Sequence, residues 1–432
     1  MKTELTKSEF WRIEGVEWKE ITLKDLVEKS KGIQRGPWGG QIKKEIFVKS
    51  GYPVYEQGNV IKNNFTHFRY FLTQEKFNEF KNYHVIPGDF LITSAGTMGI
   101  IREIPDFAPI GSINQALIRI RINKNKITSE YFLLHFNYLI ERVKDEYSKG
   151  SAMKNLVSVK VIELLPFIIP YRNGKPDLET QKKIVEYIET SFSKIDSILE
   201  KKKIILSQLD ELWESILENA FKPREGEEWR AVKLGEIIID KPRYGLTAKS
   251  KNKGKYLYLR ITDINDKGEI NEDGFKFVDL DEKEKSKYEI KKGDLLLARS
   301  GSVGNFFIAD KDYPDWVYAS YLIRFRLDSN KILPSFIKHV LISRKFKRWV
   351  EYQKRTGAQP NINAKEYSSF KFPLPFHNGK PDLERQKEIA DYLDMAYEKL
   401  KIIKEKVKSQ ISQLDEMKES ILDEVFSYDK VK

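Results

Sequence analysis

Two loops hold the side chains best suited to grip a polyanion. The first reads Lys31-Gly32-Ile33-Gln34-Arg35-Gly36-Pro37-Trp38-Gly39-Gly40-Gln41-Ile42-Lys43-Lys44, and the second Lys241-Pro242-Arg243-Tyr244-Gly245-Leu246-Thr247-Ala248-Lys249-Ser250-Lys251-Asn252-Lys253. Cations hold phosphates, glycines let a backbone come close, and aromatics and guanidinium groups reach base edges. The candidate DNA contacts are Arg35, Lys43 and Lys44 in the first loop, and Arg243, Lys249, Lys251 and Lys253 in the second. A mobile, solvated surface loop explains either one alone equally well. Two equivalent loops in one duplicated chain favour nucleic acid.

Catalytic patterns are missing. The chain has no Cys, which excludes thiolate metal sites, disulfides and cysteine nucleophiles. His67, His84, His135, His339 and His377 are scattered, with no i, i+4 pair and no HExxH. No phosphate-binding GxxxxGK[ST] loop occurs, and no GxGxxG opens a βαβ unit. Gly96/Gly99 and Gly301/Gly304 read as tight turns after strands. A nuclease-like series from Pro176-Asp177 to Glu200-Lys201-Lys202 fails because those residues belong to one long helix, and its second copy has Val407 in place of Lys202. No Asn-Pro-Pro-aromatic tetrapeptide marks an amino-methyltransferase. The composition describes a reader of a surface. The 76 Lys+Arg exceed the 64 Asp+Glu by 12 over 432 residues, a surplus that suits a polyanion partner. The longest apolar run, near Leu164–Ile169, is far short of the roughly 18–20 residues that span a bilayer. The opening MKTELTKSEFWRIEG has no signal-peptide core, so a cytoplasmic protein with no membrane partner is expected.

A repeat organises these loops. Asn173–Phe221 aligns without gaps on Asn378–Phe426 at an offset of 378 − 173 = 205, with about half the positions identical. The offset continues upstream: Gly88-Asp89-Phe90-Leu91 matches Gly293-Asp294-Leu295-Leu296, and Ile118-Arg119-Ile120-Arg121 matches Ile323-Arg324-Phe325-Arg326. Each copy opens alike, with Glu17-Trp18-Lys19 against Glu228-Trp229-Arg230. The chain is thus variable part, constant segment, variable part, constant segment.

Steps of four and three from Ile184 predict a coiled-coil seam of Ile184, Ile188, Ile195, Ile198, Ile205, Leu209, Leu212 and Ile216. Its copy is Ile389, Leu393, Leu400, Ile403, Val407, Leu414, Met417 and Ile421, with Val407 expected to face Lys202. Each helix should start near Pro176-Asp177 or Pro381-Asp382 and run about 40 residues, or about 60 Å. Two such stripes in one chain can pair antiparallel about a pseudo-two-fold axis; a homo-oligomeric coiled coil is the alternative. The remaining parts read as mixed α/β. Strands are predicted at Tyr52–Tyr55, Asp89–Thr93, Ala116–Ile122, Tyr256–Ile261, Asp294–Ala298 and Tyr321–Leu327, and helices at Ser129–Tyr147 and Pro334–Gln353.

This order, with Leu178-Glu179-Thr180-Gln181-Lys182-Lys183-Ile184-Val185 and its copy Leu383-Glu384-Arg385-Gln386-Lys387-Glu388-Ile389-Ala390 at each domain–helix boundary, resembles the DNA-specificity subunit of Type I restriction–modification systems. The boundary departs from the family's Leu-x-Glu-Gln-x-x-Ile by one extra residue between Glu and Gln. Gly150-Ser151-Ala152 and Thr356-Gly357-Ala358-Gln359 with Pro360-Asn361-Ile362 fit as well. The resemblance implies an α+β chain of two mixed α/β target-recognition domains, separated and joined by two long antiparallel helices. The boundaries would be 1–172 and 226–377 for the recognition domains, and 173–225 and 378–432 for the helices. It further implies a non-catalytic subunit in which each domain reads half of a bipartite, asymmetric double-stranded site. The helix pair would set the spacer and dock two methyltransferase (modification) subunits, leaving room for restriction/translocase subunits. S-adenosylmethionine and ATP would sit on those partners, with no cofactor or metal on this chain. The competing readings are a coiled-coil scaffold that binds only protein and a self-contained DNA-modifying enzyme.

Overall fold

The computed structural model describes residues 13–37, 44–148, 158–354 and 360–427. Lys43, Gly150-Ser151-Ala152 and Thr356-Gly357-Ala358-Gln359 lie outside the described residues, as do the side chains of Lys44 and of residues 144–148. The chain divides into two compact units, Met1–Glu200 with Ile411–Lys432, and Lys201–Gln410. The division cuts both long helices, so each unit holds one mixed α/β module, part of the helix beside it and part of the other helix.

Among its described residues the first unit contains three small sheets. Ile33–Arg35, Leu117–Ile120, Phe90–Thr93 and Ile101–Glu103 form an antiparallel sheet in that order. Phe71–Leu72, Tyr52–Tyr55, Gly111–Ile113 and His84–Val85 form another, with Val54 and Tyr55 parallel to Ser112 and Ile113. Glu17–Thr22 pairs with Pro166–Arg172, which turns back through Lys175–Pro176. The runs Phe90–Thr93 and Leu117–Ile120 are buried along their whole length, as central strands of β-branched and aromatic residues should be.

The second unit repeats this plan. Arg243–Tyr244, Leu322–Arg326, Asp294–Ala298 and Phe306–Ile308 form one sheet; Phe277–Val278, Tyr256–Leu259, Tyr313–Tyr318 and Glu289–Ile290 form the other, again with one parallel pair. Glu228–Lys233 pairs with Lys371–His377. Buried ion pairs recur at the same offset. Asp89 accepts from Arg121 Nε at 2.6 Å and Nη2 at 2.8 Å, and Asp294 accepts from Arg326 Nε at 3.0 Å.

In both units the long helix starts at the predicted step. A hairpin turn through Asn173 or Asn378, with φ of 51° and 49°, delivers the chain to an aspartate. Asp177 Oδ1 then accepts from Thr180 N at 3.1 Å, and Asp382 Oδ1 from Arg385 N at 3.0 Å. The helices run Leu178–Ala220 and Leu383–Phe426, 43 and 44 residues. Gln181 and Gln386, fully buried, tie each helix to its module. Gln181 accepts from Thr128 N and donates to Lys126 O; Gln386 accepts from Leu333 N and donates to Lys331 O. The helix predicted over Pro334–Gln353 is two, Pro334–Ile342 and Arg344–Lys354. The break is at Ser343, whose hydroxyl donates to Val340 O and accepts from Phe346 N.

Within each unit the two helix segments run antiparallel. In the first, Lys418 pairs with Asp196 and Tyr138 bonds Asp423; in the second, Lys404 pairs with Asp210 and Trp213 packs on Tyr397. The seam differs in phase from the expected one. Ile184, Ile188, Ile195, Ile389, Leu393, Leu400, Val407 and Ile421 are buried, and Leu209, Ile216 and Leu414 half-buried. Ile198, Ile205, Leu212, Ile403 and Met417, assigned to the seam, are exposed instead. After Ile195 and Leu400 the inward steps run four then three, not three then four. Leu199, Leu206 and Trp213 therefore face inward on the first helix, and Lys404, Ile411 and Lys418 on the second. Lys202 donates to Gln410 Oε1 at 2.8 Å, the partner for which Val407 was expected. Among the described residues no helix is long and apolar enough to cross a membrane.

Candidate nucleic-acid interface

The two basic, glycine-containing loops leave the edge strand of the first-described sheet in each unit. Gln34 and Arg35 pair with Arg119 and Ile118; Arg243 and Tyr244 pair with Arg324 and Ile323, at the same 205-residue offset along the partner strand. Gly36 N donates to Leu117 O and Gly245 N to Leu322 O. Both glycines then press onto the neighbouring turn: a Cβ on Gly36 would stand 1.9 Å from Asn114 O, and one on Gly245 2.2 Å from Ala319 O. Neither position tolerates a side chain, so the two edge strands end alike at a glycine.

A second turn closes beside each loop. Ser94 N donates to Ala116 O at 2.8 Å, and Arg299 N to Tyr321 O at 2.9 Å. Gly96, Gly99, Gly301 and Gly304 have φ between 60° and 94°, so both GxxG pairs are tight turns after strands, as the sequence suggests. The third contributor follows the parallel strand: Asn59 Oδ1 accepts from Glu56 N in the first unit, and Asp263 Oδ2 from Arg260 N in the second. Each unit thus presents a rim built from corresponding hydrogen bonds, backbone to backbone at the turn and backbone to side chain after the parallel strand.

The rims differ in their side chains. In the first unit Ser94 is buried, and Ala116 lies on an open cleft of about 470 Å³ lined also by Gln57, Lys62, Asn64, His67, Arg69 and Asn114 among others. Gln57 lies against the turn, its amide donating to Thr97 O at 3.1 Å and to Ala95 O. Arg69 is held by Glu56 at 2.9 Å. In the second unit Arg299 and Tyr321 occupy the positions of Ser94 and Ala116. The Arg299 guanidinium lies 4.8 Å from the centroid of the Tyr244 ring, and Tyr244 and Tyr321 are both exposed.

Beneath the rims sit buried arginines with structural work. Arg119 donates to His84 O at 2.6 Å and to Lys31 O, bracing the loop base. Burial, and then the neighbouring Arg121, pull its pKa down to about 10. Its counterpart Arg324 lies 3.6 Å from Asp240 and 3.9 Å from Asp294.

The sequence candidates are dispersed around this frame. Arg35 is half-buried in its strand. Arg243 donates to Lys287 O at 3.3 Å. Lys251 is tied to Asp279 at 2.8 Å. Lys249 and Lys253 are exposed and form no ion pair among the described residues. The lysine-based candidates leave out Gln57, Tyr244, Arg299 and Tyr321, which the structure places at these rims. The repeat offset could have found the pair Ser94/Arg299, because a constant neighbourhood there carries a changed side chain. Among the described residues no cluster of three or more His, Asp or Glu could hold a metal ion.

Comparison with known proteins places this arrangement. The chain is 25% identical over 364 residues to the Type I restriction enzyme StySPI specificity subunit of Salmonella potsdam, covering 79% of this chain and 74% of that one. It is 27% identical over 322 residues to the MjaVIII specificity subunit of Methanocaldococcus jannaschii, covering 70% and 71%. Its fold is similar to a chain in a solved type I R-M system, with TM-score 0.66 and 16% identity over 94% of this chain and 97% of that one. It is also similar to the HsdS subunit from Thermoanaerobacter tengcongensis, with TM-score 0.56 and 16% identity over 96% and 97%. Residues 15–208 and 226–413 both match the Type I restriction modification DNA specificity domain, and the chain belongs to that family.

Proposed function

We propose that this chain is the DNA-specificity subunit of a Type I restriction–modification complex, non-catalytic itself, and that each unit reads one half of a bipartite, asymmetric double-stranded site. One observation carries the reading. The two rims share their backbone bonds, yet Ser94 and Ala116 stand in one where Arg299 and Tyr321 stand in the other. One scaffold carrying two different sets of rim side chains suits two different half-sites. Lys249 and Lys253, with Arg35, Arg243, Lys43 and Lys44, supply phosphate contacts around them, and Lys251 contributes less because Asp279 already holds it.

The recognition domains extend over 1–172 and 226–377, and the helical segments over 173–225 and 378–432. The helices fix the spacer and dock two methyltransferase subunits. In the second unit the exposed Ile204, Ile205 and Leu212 of one helix, and Met395, Ile402 and Ile403 of the other, give such a partner an apolar contact. S-adenosylmethionine belongs to those subunits and ATP to restriction/translocase subunits, in the cytoplasm. The test is to co-express the chain with its modification subunit and map methylated bases genome-wide. Two short conserved blocks of different sequence at a fixed spacing are expected. Methylation without sequence preference, or methylation by this chain alone, refutes the reading.

A further inference from the structure

We propose that Arg299 is the side chain with which the second unit reads a guanine, an assignment that rests on the specificity-subunit reading above. Arg299 directly follows the buried central strand Asp294–Ala298, so its backbone is fixed by the sheet. Its N–H donates to Tyr321 O, and its carbonyl accepts from Ile362 N at 2.8 Å. The side chain is contacted from two further segments. Its guanidinium stacks over Tyr244, whose hydroxyl accepts from Ala364 N at 3.1 Å, and its Nε donates to Asn361 Oδ1 at 3.4 Å. Three separate segments therefore meet at one guanidinium.

Its outer edge is left over. No carboxylate pairs with Arg299 among the described residues, and neither Nη has a partner there, whereas Arg260, Arg324 and Arg326 are each taken up by aspartates. A planar, positioned fork whose Nη donors are unused among the described residues matches the O6 and N7 acceptors on the major-groove edge of guanine. Pre-orientation also lowers the entropy lost when the fork binds. In the first unit the same backbone position is Ser94, whose buried hydroxyl has no partner. The position keeps its frame and changes its chemistry, as a residue that sets specificity should.

The assay uses the chain assembled with its modification subunits and a duplex library carrying a randomised block. Bound duplexes are sequenced for wild type, Arg299→Ala and Arg299→Lys. Wild type should enrich two blocks of bases. Both variants should lose one guanine position in one block, keep every other position, and bind the wild-type consensus about ten- to a hundredfold more weakly. Lysine keeps the charge without the fork, so Arg299→Lys should show the same base-specific loss with an unchanged salt slope. Retention of every enriched base by both variants overturns the assignment. So does uniform weakening on all sequences, which would mark a phosphate contact. If wild type enriches no sequence, the specificity reading itself fails.

Discussion

Phe426 closes the core of the unit built largely from the other end of the chain. It is 3% exposed, its ring stacks on His135 at 4.1 Å, and it meets the edge of Tyr131 at 5.5 Å. Truncating a buried Phe to Ala costs about 3–5 kcal/mol, to which the aromatic geometry adds about 0.5–1.5 kcal/mol of the total. Phe426→Ala should therefore destabilise the first unit by that amount and leave the second unit's protection unchanged. His135 gives a second readout. Both its ring nitrogens lack partners, and burial pulls its pKa down to about 3 from the ordinary 6.5. Above pH 6.5 the imidazole is neutral in both states and stability is unaffected. As pH falls below 6.5 only the unfolded chain takes the proton, so stability drops by up to about 1.4 kcal/mol per pH unit, roughly 2 kcal/mol by pH 5. Opening the cover at Phe426 lets water in and should raise that pKa towards the usual range, flattening this acid limb. Hydrogen exchange over Ser129–Ser148 and Pro166–Arg172 against Pro334–Ile342, with an NMR titration of His135, measures both effects. A loss under about 1 kcal/mol, equal losses in the two units, or a His135 pKa that stays near 3 would refute the reasoning.

Asp294→Ala removes the acceptor for Arg326 Nε and Lys291 N from a fully buried site, and should cost about 3–5 kcal/mol in denaturant unfolding; a cost within error would show that Asp240 suffices for both arginines. A half-chain ending at Lys222 should dimerise and, with its modification subunit, mark an interrupted palindrome. Phe221 meets Phe336 edge-on at 5.5 Å just as Phe426 meets Tyr131, so a second copy's Phe221 can fill Phe426's place; a strictly monomeric half-chain in light scattering would exclude this.

The local grammar of the chain was written in its residues. The 205-residue repeat, the aspartate helix starts and the central strands all depend on near neighbours in sequence, and each recurs where its signal lies. The phase of the helix seam was not so written. Ile198-Leu199, Ile205-Leu206 and Leu212-Trp213 are apolar doublets, and either member satisfies a period near 3.5. On the second helix the inward choice is Lys404 and Lys418 over Ile403 and Met417, because Asp210 and Asp196 across the pair receive their ammonium groups while the stems pack. Only the register of two segments some 200 residues apart decides that. The interface divides in the same way. Charge and glycine content singled out the two loops, but lysine counts cannot show that Asp279 occupies Lys251. Nor do they show that Tyr244, Arg299, Tyr321 and Asn361 meet at one rim. Those residues converge because antiparallel pairing brings strand ends distant in sequence to a common edge, a long-range arrangement that exists only once the sheets have formed.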